Sequence, residues 1–255
     1  AEVDAGRLAL GQRIRITEMD LSPGLSPIAG AWPMPPDHHA EEFTVEDLLT
    51  RAVRDSDNTA ADVIMKQIGG PGAVTAWLRT NAIFDMRIDR YERELGQEIC
   101  GMASFRPAWK DEAAWLAARS AIPPALRQQA MDAYLADPRD TTSVQDALNF
   151  LSKLASGALI SKASTALLLK WMTDTPRAPN RLKAGLPKGA RIAHRPGSSG
   201  TDLGFTPATN DIGVITLRDG RRYAIAAFLA GSTATEAERD RLFADAARLM
   251  LKAAG

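Results

Sequence analysis

The sequence contains one cysteine, Cys100, and only three histidines among its 255 residues. A single cysteine excludes an internal disulfide and a cysteine-rich metal cage. The histidines, His38, His39 and His194, are too few and too unevenly spaced for a typical zinc site. We therefore predict neither a metal nor a cofactor.

Net charge is also lacking, because 31 Lys and Arg residues balance 31 Asp and Glu residues. Without a basic excess the chain has no electrostatic means of neutralising nucleic-acid phosphates. No apolar run approaches the roughly 18–20 residues of a membrane span. Hydrophobic residues make up 45% and charged residues 24% of the chain, as in ordinary globular proteins. These features exclude nucleic acid as a partner and a membrane-spanning segment.

The chain begins at Ala1 without a start methionine or a visible signal peptide. Residues 1–6 have the pattern of a helix that ends at Gly6, and no N-cap residue precedes them. We therefore expect the sequence to begin inside an element, with the first strands of a sheet upstream of it.

The rest of the pattern is mostly helical, with strands only near the C-terminus. Asp219-Gly220 between two apolar runs predicts a β-hairpin. Helical patterns cover residues 45–53, 58–68, 72–80, 109–119, 125–136, 143–155, 162–173 and about 235–252, and strand patterns cover 191–194, 211–217 and 223–230. The predicted class is α+β: a mainly helical lobe (1–190) packed against an antiparallel sheet lobe (191–255), with flanking N- and C-terminal helices.

Ser56-Asp57-Asn58 lies between two predicted helices. Alone, such a cluster is typical of a helix N-cap. Here residues 54–79 read RDSDNTAADVIMKQIGGPGAVTAWLR, and this stretch closely resembles the second motif region of class A serine β-lactamases, the penicillin-recognising serine hydrolases.

Further segments resemble the same family in the same order, so the resemblance covers nearly the whole chain. Residues 90–95 (RYEREL) resemble the Ω-loop segment, with Glu92 at the general-base position. Residues 137–142 (DPRDTT) resemble the end of that loop, which places its closing ion pair on Arg90 and Asp140. Residues 192–200 stand where the Lys-Thr-Gly strand is expected.

The resemblance implies acyl transfer, in which a serine attacks the lactam carbonyl and water removes the acyl group. By this resemblance Glu92 deprotonates the water, and Ser56 relays a proton to the leaving nitrogen. Asn58 holds the substrate's side-chain amide and the catalytic lysine, and Asp57 is mainly structural.

By the same resemblance, Arg195 supplies positive charge for the substrate carboxylate, and Gly197 and Ser198, which follow on the same strand, also bind the substrate. The Ser198 N–H would be one of two oxyanion donors. Arg181 stands where one branch of the family anchors the carboxylate, although a solvated surface arginine is the alternative.

Several features depart from the family pattern. No Ser-x-x-Lys motif occurs in the 255 residues, so the nucleophile and its lysine are expected upstream of Ala1. Pro196 replaces the Thr of Lys-Thr-Gly and removes a hydroxyl and an N–H. Gly96 stands where many members have an Asn that helps hold the deacylating water.

An insertion of about 35 residues between Ile99 and Asp137 extends the Ω-loop region (about 90–140) with two amphipathic helices. These helices are either a small lid beside the site or a packing element, and their Trp109 and Trp115 are expected to anchor them. Trp32 is either an aromatic gatekeeper or a packing residue.

The predicted function is β-lactam hydrolysis by serine acylation and Glu92-assisted deacylation. The alternatives are a catalytically impaired penicillin-binding homologue, favoured by Pro196, and a non-enzymatic binding or sensor domain on the same fold. The Glu92 segment argues against a D-Ala-D-Ala carboxypeptidase, and the Ser-Asp-Asn helix argues against a glutaminase. The resemblance further implies a small-molecule β-lactam partner, a monomer, and a bacterial periplasmic or secreted location.

Overall fold

The structure is a computed structural model that describes residues 1–32, 40–102 and 111–254. His38, His39 and Trp109 lie outside the described residues. By internal contacts the chain divides into two compact units, Ala1–Thr141 and Thr142–Gly255. The second unit includes the helices Val144–Ser156 and Lys162–Thr173, which the predicted boundary at residue 190 assigns to the helical lobe.

The first unit combines a two-stranded ribbon with most of the helices. Its elements are β1 (Arg13–Thr17), α1 (Pro27–Gly30), β2 (Ala40–Thr44), α2 (Val45–Thr50), α3 (Asn58–Gln67), α4 (Pro71–Thr80), α5 (Glu92–Ile99), α6 (Glu112–Ser120) and α7 (Pro124–Ala136). The helical patterns predicted over 58–68, 72–80 and 125–136 are confirmed to within one residue at each end. A capping box at Thr44 begins α2, since Asp47 N–H donates to Thr44 Oγ1 at 3.1 Å.

Two predictions about the start of this unit are wrong. The structure forms strands well before Arg191, because β1 and β2 pair antiparallel with Ile14 opposite Phe43. Ile14 and Ile16 are buried while Arg13 and Arg15 are exposed, which is the period-two pattern of a strand. Residues 1–6 form turns rather than the end of an α-helix, and Gly6 has a φ of 71°.

The core of the first unit packs the ribbon against α2 and α3. Trp32 is 5% exposed and belongs to this core, so it is a packing residue in the structure. Cys100 is buried and forms no disulfide. In the insertion, α7 contacts α5 and buries Met131 completely, which supports a packing element.

The second unit is a small sheet covered by helices. Its elements are α8 (Val144–Ser156), α9 (Lys162–Thr173), β3 (Arg191–Ser198), β4 (Thr206–Thr216), β5 (Arg222–Ser232) and α10 (Glu236–Ala253). The strands are antiparallel in the order β3-β4-β5. The predicted hairpin is confirmed, and Gly220 in its turn has a φ of 89°. The combination of helices with an antiparallel sheet confirms the α+β class.

One face of this sheet forms the second core. Ile192, Ile215 and Ile225 pack there with Phe243 and Ala247 of α10. The helices α8 and α9 contact the sheet through β5 and β3. Within the described parts of the chain, no helix is both long enough and apolar enough to cross a membrane.

Gly185→Ala is expected to destabilise the second unit. Gly185 closes a 3-10 turn, and a Cβ at this position would lie 2.2 Å from Ala244 O of α10. Overpacking of this kind costs about 1–3 kcal/mol of unfolding free energy. Gly72→Ala is the control, because a Cβ there meets nothing within 4 Å. Urea unfolding measures both variants, and equal stabilities would contradict the close approach of backbone to α10.

Candidate active site

The Ser56-Asp57-Asn58 turn joins α2 to α3. The end of α2 winds into a π-helical turn, Arg51–Asp55, and Ser56 then adopts the left-handed conformation at φ 63°. A non-glycine residue with positive φ is uncommon, and such strain is concentrated at functional positions. Ser56 therefore lies at a sharp turn between two helices, immediately before the residue that caps α3.

Asp57 is fully buried and binds three donors. Its carboxylate accepts hydrogen bonds from Ser26 Oγ at 2.9 Å, Ile28 N at 2.7 Å and Ala60 N at 3.0 Å. The last of these bonds is the N-cap of α3. Asp57 thus fixes the 22–28 loop to the start of α3, which is a structural role.

Asn58 and Thr59 extend this attachment to the same loop. Asn58 Nδ2 donates to Pro23 O at 3.1 Å, and Ser22 N donates to Thr59 Oγ1 at 2.9 Å. These contacts orient the Asn58 amide at the first residue of α3.

The sequence pattern does not single out Asp62, which joins α3 to the start of α5. Its carboxylate accepts from Glu92 N at 2.7 Å, Arg93 N at 3.1 Å and Ser22 Oγ at 2.6 Å, and it is 2% exposed. Burial raises the pKa of Asp62 above its ordinary value, although these hydrogen bonds oppose the shift. Asp62 lies about 6 Å along the helix axis from Asn58. One helix therefore positions both Asn58 and the backbone of Glu92.

Arg93 fixes the same helix start from the other side. Its guanidinium donates to Met19 O at 2.9 Å and Asp20 O at 2.5 Å, and Nε lies 3.5 Å from Asp62 Oδ2. A basic residue in the first turn of a helix is unfavourable for the helix dipole. The unfavourable position of Arg93 in the first turn of α5 is a feature of the sequence that could have indicated a partner elsewhere in the chain.

Arg90 lies at the neck of the 90–140 segment and is almost completely buried. Its Nε lies 2.5 Å from Asp140 Oδ2, and its Nη1 lies 2.5 Å from Glu98 and 3.3 Å from Asp137. Asp140 also accepts from Asp89 N at 2.6 Å. The two ends of the segment are thus tied together immediately before Glu92.

In the second unit, β3 runs without interruption from Arg191 to Ser198, four residues beyond the predicted strand. Pro196 is opposite Asp211 in this register, and Gly197 and Ser198 are exposed. Proline is tolerated in edge strands, and β3 is an edge of the three-stranded sheet that the structure describes. Arg195 is half-buried, and its Nη1 donates to Pro196 O at 3.1 Å.

Arg181 is 4% exposed, so the alternative of a solvated surface arginine is wrong. Its guanidinium donates to Asp240 Oδ1 at 2.8 Å, to Gly197 O and Asn210 O at 3.1 Å each, and to Ser198 Oγ at 2.6 Å. These bonds use four of its five N–H groups. Arg181 is therefore held rigidly at the end of β3, next to Ser198.

A buried pair that the sequence analysis does not predict, His194 and Asp211, joins β3 to β4. His194 Nδ1 lies 3.0 Å from Asp211 Oδ1, and both side chains are fully buried. Asp211 Oδ2 also accepts from Leu182 N at 3.3 Å. The pair connects β3 and β4 to the turn that follows Arg181. Alternation along β3 could have indicated that His194 points into the core.

Comparison with known proteins identifies the family. A family profile described as "Beta-lactamase enzyme family" matches residues 1–254. The chain belongs to this β-lactamase family. Among its relatives is Beta-lactamase VEB-1 of Pseudomonas aeruginosa, 31% identical over 98% of this chain and 71% of the relative.

A second relative and a solved structure that resemble this chain are also β-lactamases. Extended-spectrum beta-lactamase PER-1 of Pseudomonas aeruginosa is 28% identical over 97% of the chain and 68% of its own length. The crystal structure of a β-lactamase from Chitinophaga pinensis DSM 2588 superposes with a TM-score of 0.77 at 29% identity. That match covers 100% of this chain and 80% of the other.

The buried carboxylates of Asp57 and Asp62 accept hydrogen bonds from backbone N–H groups and serine hydroxyls. Among residues 1–32, 40–102 and 111–254, no group of three or more His, Cys, Asp and Glu side chains could hold a metal ion.

The loop neck predicts a pH dependence of stability. Hydrogen bonds from Arg139, together with the nearby Arg90 charge, lower the pKa of Asp137 to about 2. Because the unfolded pKa is about 3.9, the ionised Asp137 stabilises the fold above that pH, and the contribution is lost as pH falls towards 2. The stability difference between wild type and Asp137→Asn should therefore shrink between pH 4 and 2 in urea unfolding. A difference independent of pH would contradict this assignment.

Proposed function

We propose that this protein hydrolyses β-lactams by serine acylation followed by Glu92-assisted deacylation. One observation carries the proposal beyond family membership: α3 begins with Asn58 and binds the Glu92 N–H through Asp62 one turn later. The helix that carries Asn58 thereby also holds the start of α5, where Glu92 lies. The 255 residues contain no Ser-x-x-Lys motif, so the assays below use the full-length protein.

In this proposal Glu92 is the general base of the Ω-loop and takes a proton from the deacylating water. Its backbone is held by Asp62 and the neighbouring Arg93, and the Arg90–Asp140 ion pair closes the loop before it. A fixed backbone limits where the Glu92 carboxylate can lie, and a general base must stay within hydrogen-bond reach of the water whose proton it takes. Gly96 leaves space in α5, since a Cβ there meets nothing within 4 Å.

Ser56 is assigned the proton relay to the leaving nitrogen, and Asn58 the substrate's side-chain amide. The left-handed turn at Ser56 and the hydrogen bond from Asn58 to Pro23 O support fixed positions for both side chains. Asp57 acts through them, because it fixes the loop on which they depend.

The substrate carboxylate is assigned to Arg195, with Arg181, Gly197 and Ser198 as the surrounding positions. Arg181 bonds directly to Ser198 Oγ and Gly197 O, so its charge lies at the end of β3. Because four of its five N–H groups are already bonded within the protein, Arg181 contributes positive charge near the carboxylate rather than a bidentate contact. The Ser198 N–H is assigned to the oxyanion hole.

The test is hydrolysis of a chromogenic cephalosporin by the full-length protein. We expect saturable turnover, and a rise in KM in the Arg195→Gln variant because it loses a charged partner of the substrate. Lys188→Gln, an exposed change in the same unit, serves as the control. Absence of turnover by the folded wild type would refute the proposal.

The second candidate function is a β-lactam-acylated homologue that turns over poorly, and Pro196 is the observation that favours it. Pro196→Thr restores a hydroxyl at the carboxylate position. A hydrogen bond to a charged group contributes about 1.5–3 kcal/mol, so kcat/KM should rise about tenfold or more. Steady-state kinetics checks this, with circular dichroism to confirm the fold. An unchanged kcat/KM in a folded variant would show that Pro196 does not limit binding.

Location and physiological role are also part of the proposal. We assign the protein to the bacterial periplasm or the secreted space, as a monomer that contributes to β-lactam resistance. Fractionation of the producing cell, with β-lactamase activity followed in each fraction, tests the location. Activity confined to the cytoplasm would contradict it.

A further inference from the structure

A cleft in the second unit lies between α9 and the sheet and has a volume of about 220 Å³. Its floor is apolar and includes Leu169, Ala193 and Val214. Three positively charged side chains line it as well: Lys170 from α9, Arg191 from β3 and Arg222 from β5. Arg181 and Arg195, which are assigned to the substrate, do not line this cleft.

The two arginines belong to one row across the sheet. Arg191 is opposite Thr216 on β4, and Thr216 is opposite Arg222 on β5. Directly opposed residues point to the same face, and neighbouring strands lie about 4.8 Å apart. The Cα atoms of Arg191 and Arg222 are therefore about 10 Å apart, on either side of Thr216.

The charges in this row are poorly compensated within the second unit. Arg191 has no carboxylate partner among the described residues, and Arg222 Nη1 donates to a backbone oxygen, Ala155 O, at 3.0 Å. Lys170 pairs with Asp174, the one lining cation with a carboxylate partner in the described part of the chain. The chain as a whole has zero net charge, so the positive charge of this cleft comes from the local arrangement of Lys170, Arg191 and Arg222.

We propose that this cleft binds a small organic anion, a carboxylate or sulfonate attached to a compact apolar body. The anionic group lies between Arg191 and Arg222, which can bind it through charge-assisted hydrogen bonds. The apolar body covers Leu169, Ala193 and Val214. The cleft is smaller than the roughly 300–1,000 Å³ of pockets for drug-sized ligands, which favours a ligand of one or two rings.

The test is isothermal titration of the full-length protein with 2-naphthoate. We expect saturable binding with a stoichiometry of one at the cleft. An Arg191→Gln/Arg222→Gln double variant should bind at least about tenfold more weakly, since it loses both charge-assisted hydrogen-bond donors. Lys188→Gln/Arg241→Gln removes two exposed charges elsewhere in the same unit and should change affinity less than twofold.

Two further measurements separate this site from the proposed substrate site and define its ligand. The Arg195→Gln variant should retain 2-naphthoate binding. Loss of binding in this variant would place the anion at the proposed substrate site and overturn the proposal. The neutral analogue 2-naphthylmethanol and inorganic phosphate should each bind more weakly than 2-naphthoate. Equal binding of either probe would overturn the assigned ligand class, and equal affinities of the double variant and wild type would overturn the site. Thermal unfolding of the double variant confirms that it is folded.

Discussion

Glu92→Gln is expected to lower kcat for β-lactam hydrolysis by about 10²–10⁴-fold, the usual contribution of a general base. The substitution removes the base but keeps the size of the side chain. The Glu92 N–H still donates to Asp62, so the start of α5 is preserved. Rapid-mixing kinetics should show a burst of acylation followed by slow turnover.

Glu94→Gln is the matched control for this experiment. Glu94 lies two residues along the same helix and closes its capping box, accepting from Tyr91 N at 2.9 Å. Glutamine also serves in a capping box, so kcat should change little. Equal kcat values for the two variants would remove Glu92 from the mechanism.

Asp57→Ala is expected to be the most destabilising single change in the Ser-Asp-Asn motif. It leaves the buried N–H groups of Ile28 and Ala60 without an acceptor, while Ser26 Oγ keeps its bond of 2.7 Å to Thr59 Oγ1. An unsatisfied buried donor costs about 1–3 kcal/mol, so the loss in unfolding free energy should be about 3–5 kcal/mol. Urea unfolding of the purified variant measures this loss.

Ser143→Ala provides the comparison for this prediction. Ser143 caps α8 through one bond, to Asp146 N at 3.1 Å, and losing such a cap costs about 1 kcal/mol. Asp57→Asn keeps an acceptor oxygen and should fall between the two. If Asp57→Ala cost no more than Ser143→Ala, the loop would not depend on Asp57.

The sequence predicts best where the chemistry is local. Ser143, Ser161 and Thr235 each cap a helix from the adjacent residue, so the bounds of α8, α9 and α10 follow from their own first turns. The Asp219-Gly220 turn is local in the same way. The order of motifs also predicts which residues matter, because Ser-Asp-Asn and Arg90-x-Glu92 are each contiguous.

The sequence predicts poorly where a distant partner decides the outcome. Beside Ala60 and Val63, α3 also buries the polar residues Thr59 and Asp62, a burial that their polarity does not predict. Their hydrogen bonds to the 22–28 loop and to α5 offset the cost of burying polar groups. No pattern within α3 contains that information.

The central claim concerns a covalent intermediate, and intact-mass spectrometry tests it most directly. A serine that attacks a penicillin opens the ring without losing a fragment, so the protein gains the whole mass of the substrate. We predict that this adduct forms on the full-length protein, then disappears as hydrolysed penicillin accumulates, and that it persists in Glu92→Gln. A protein mass that never changes while the penicillin remains intact would contradict the account.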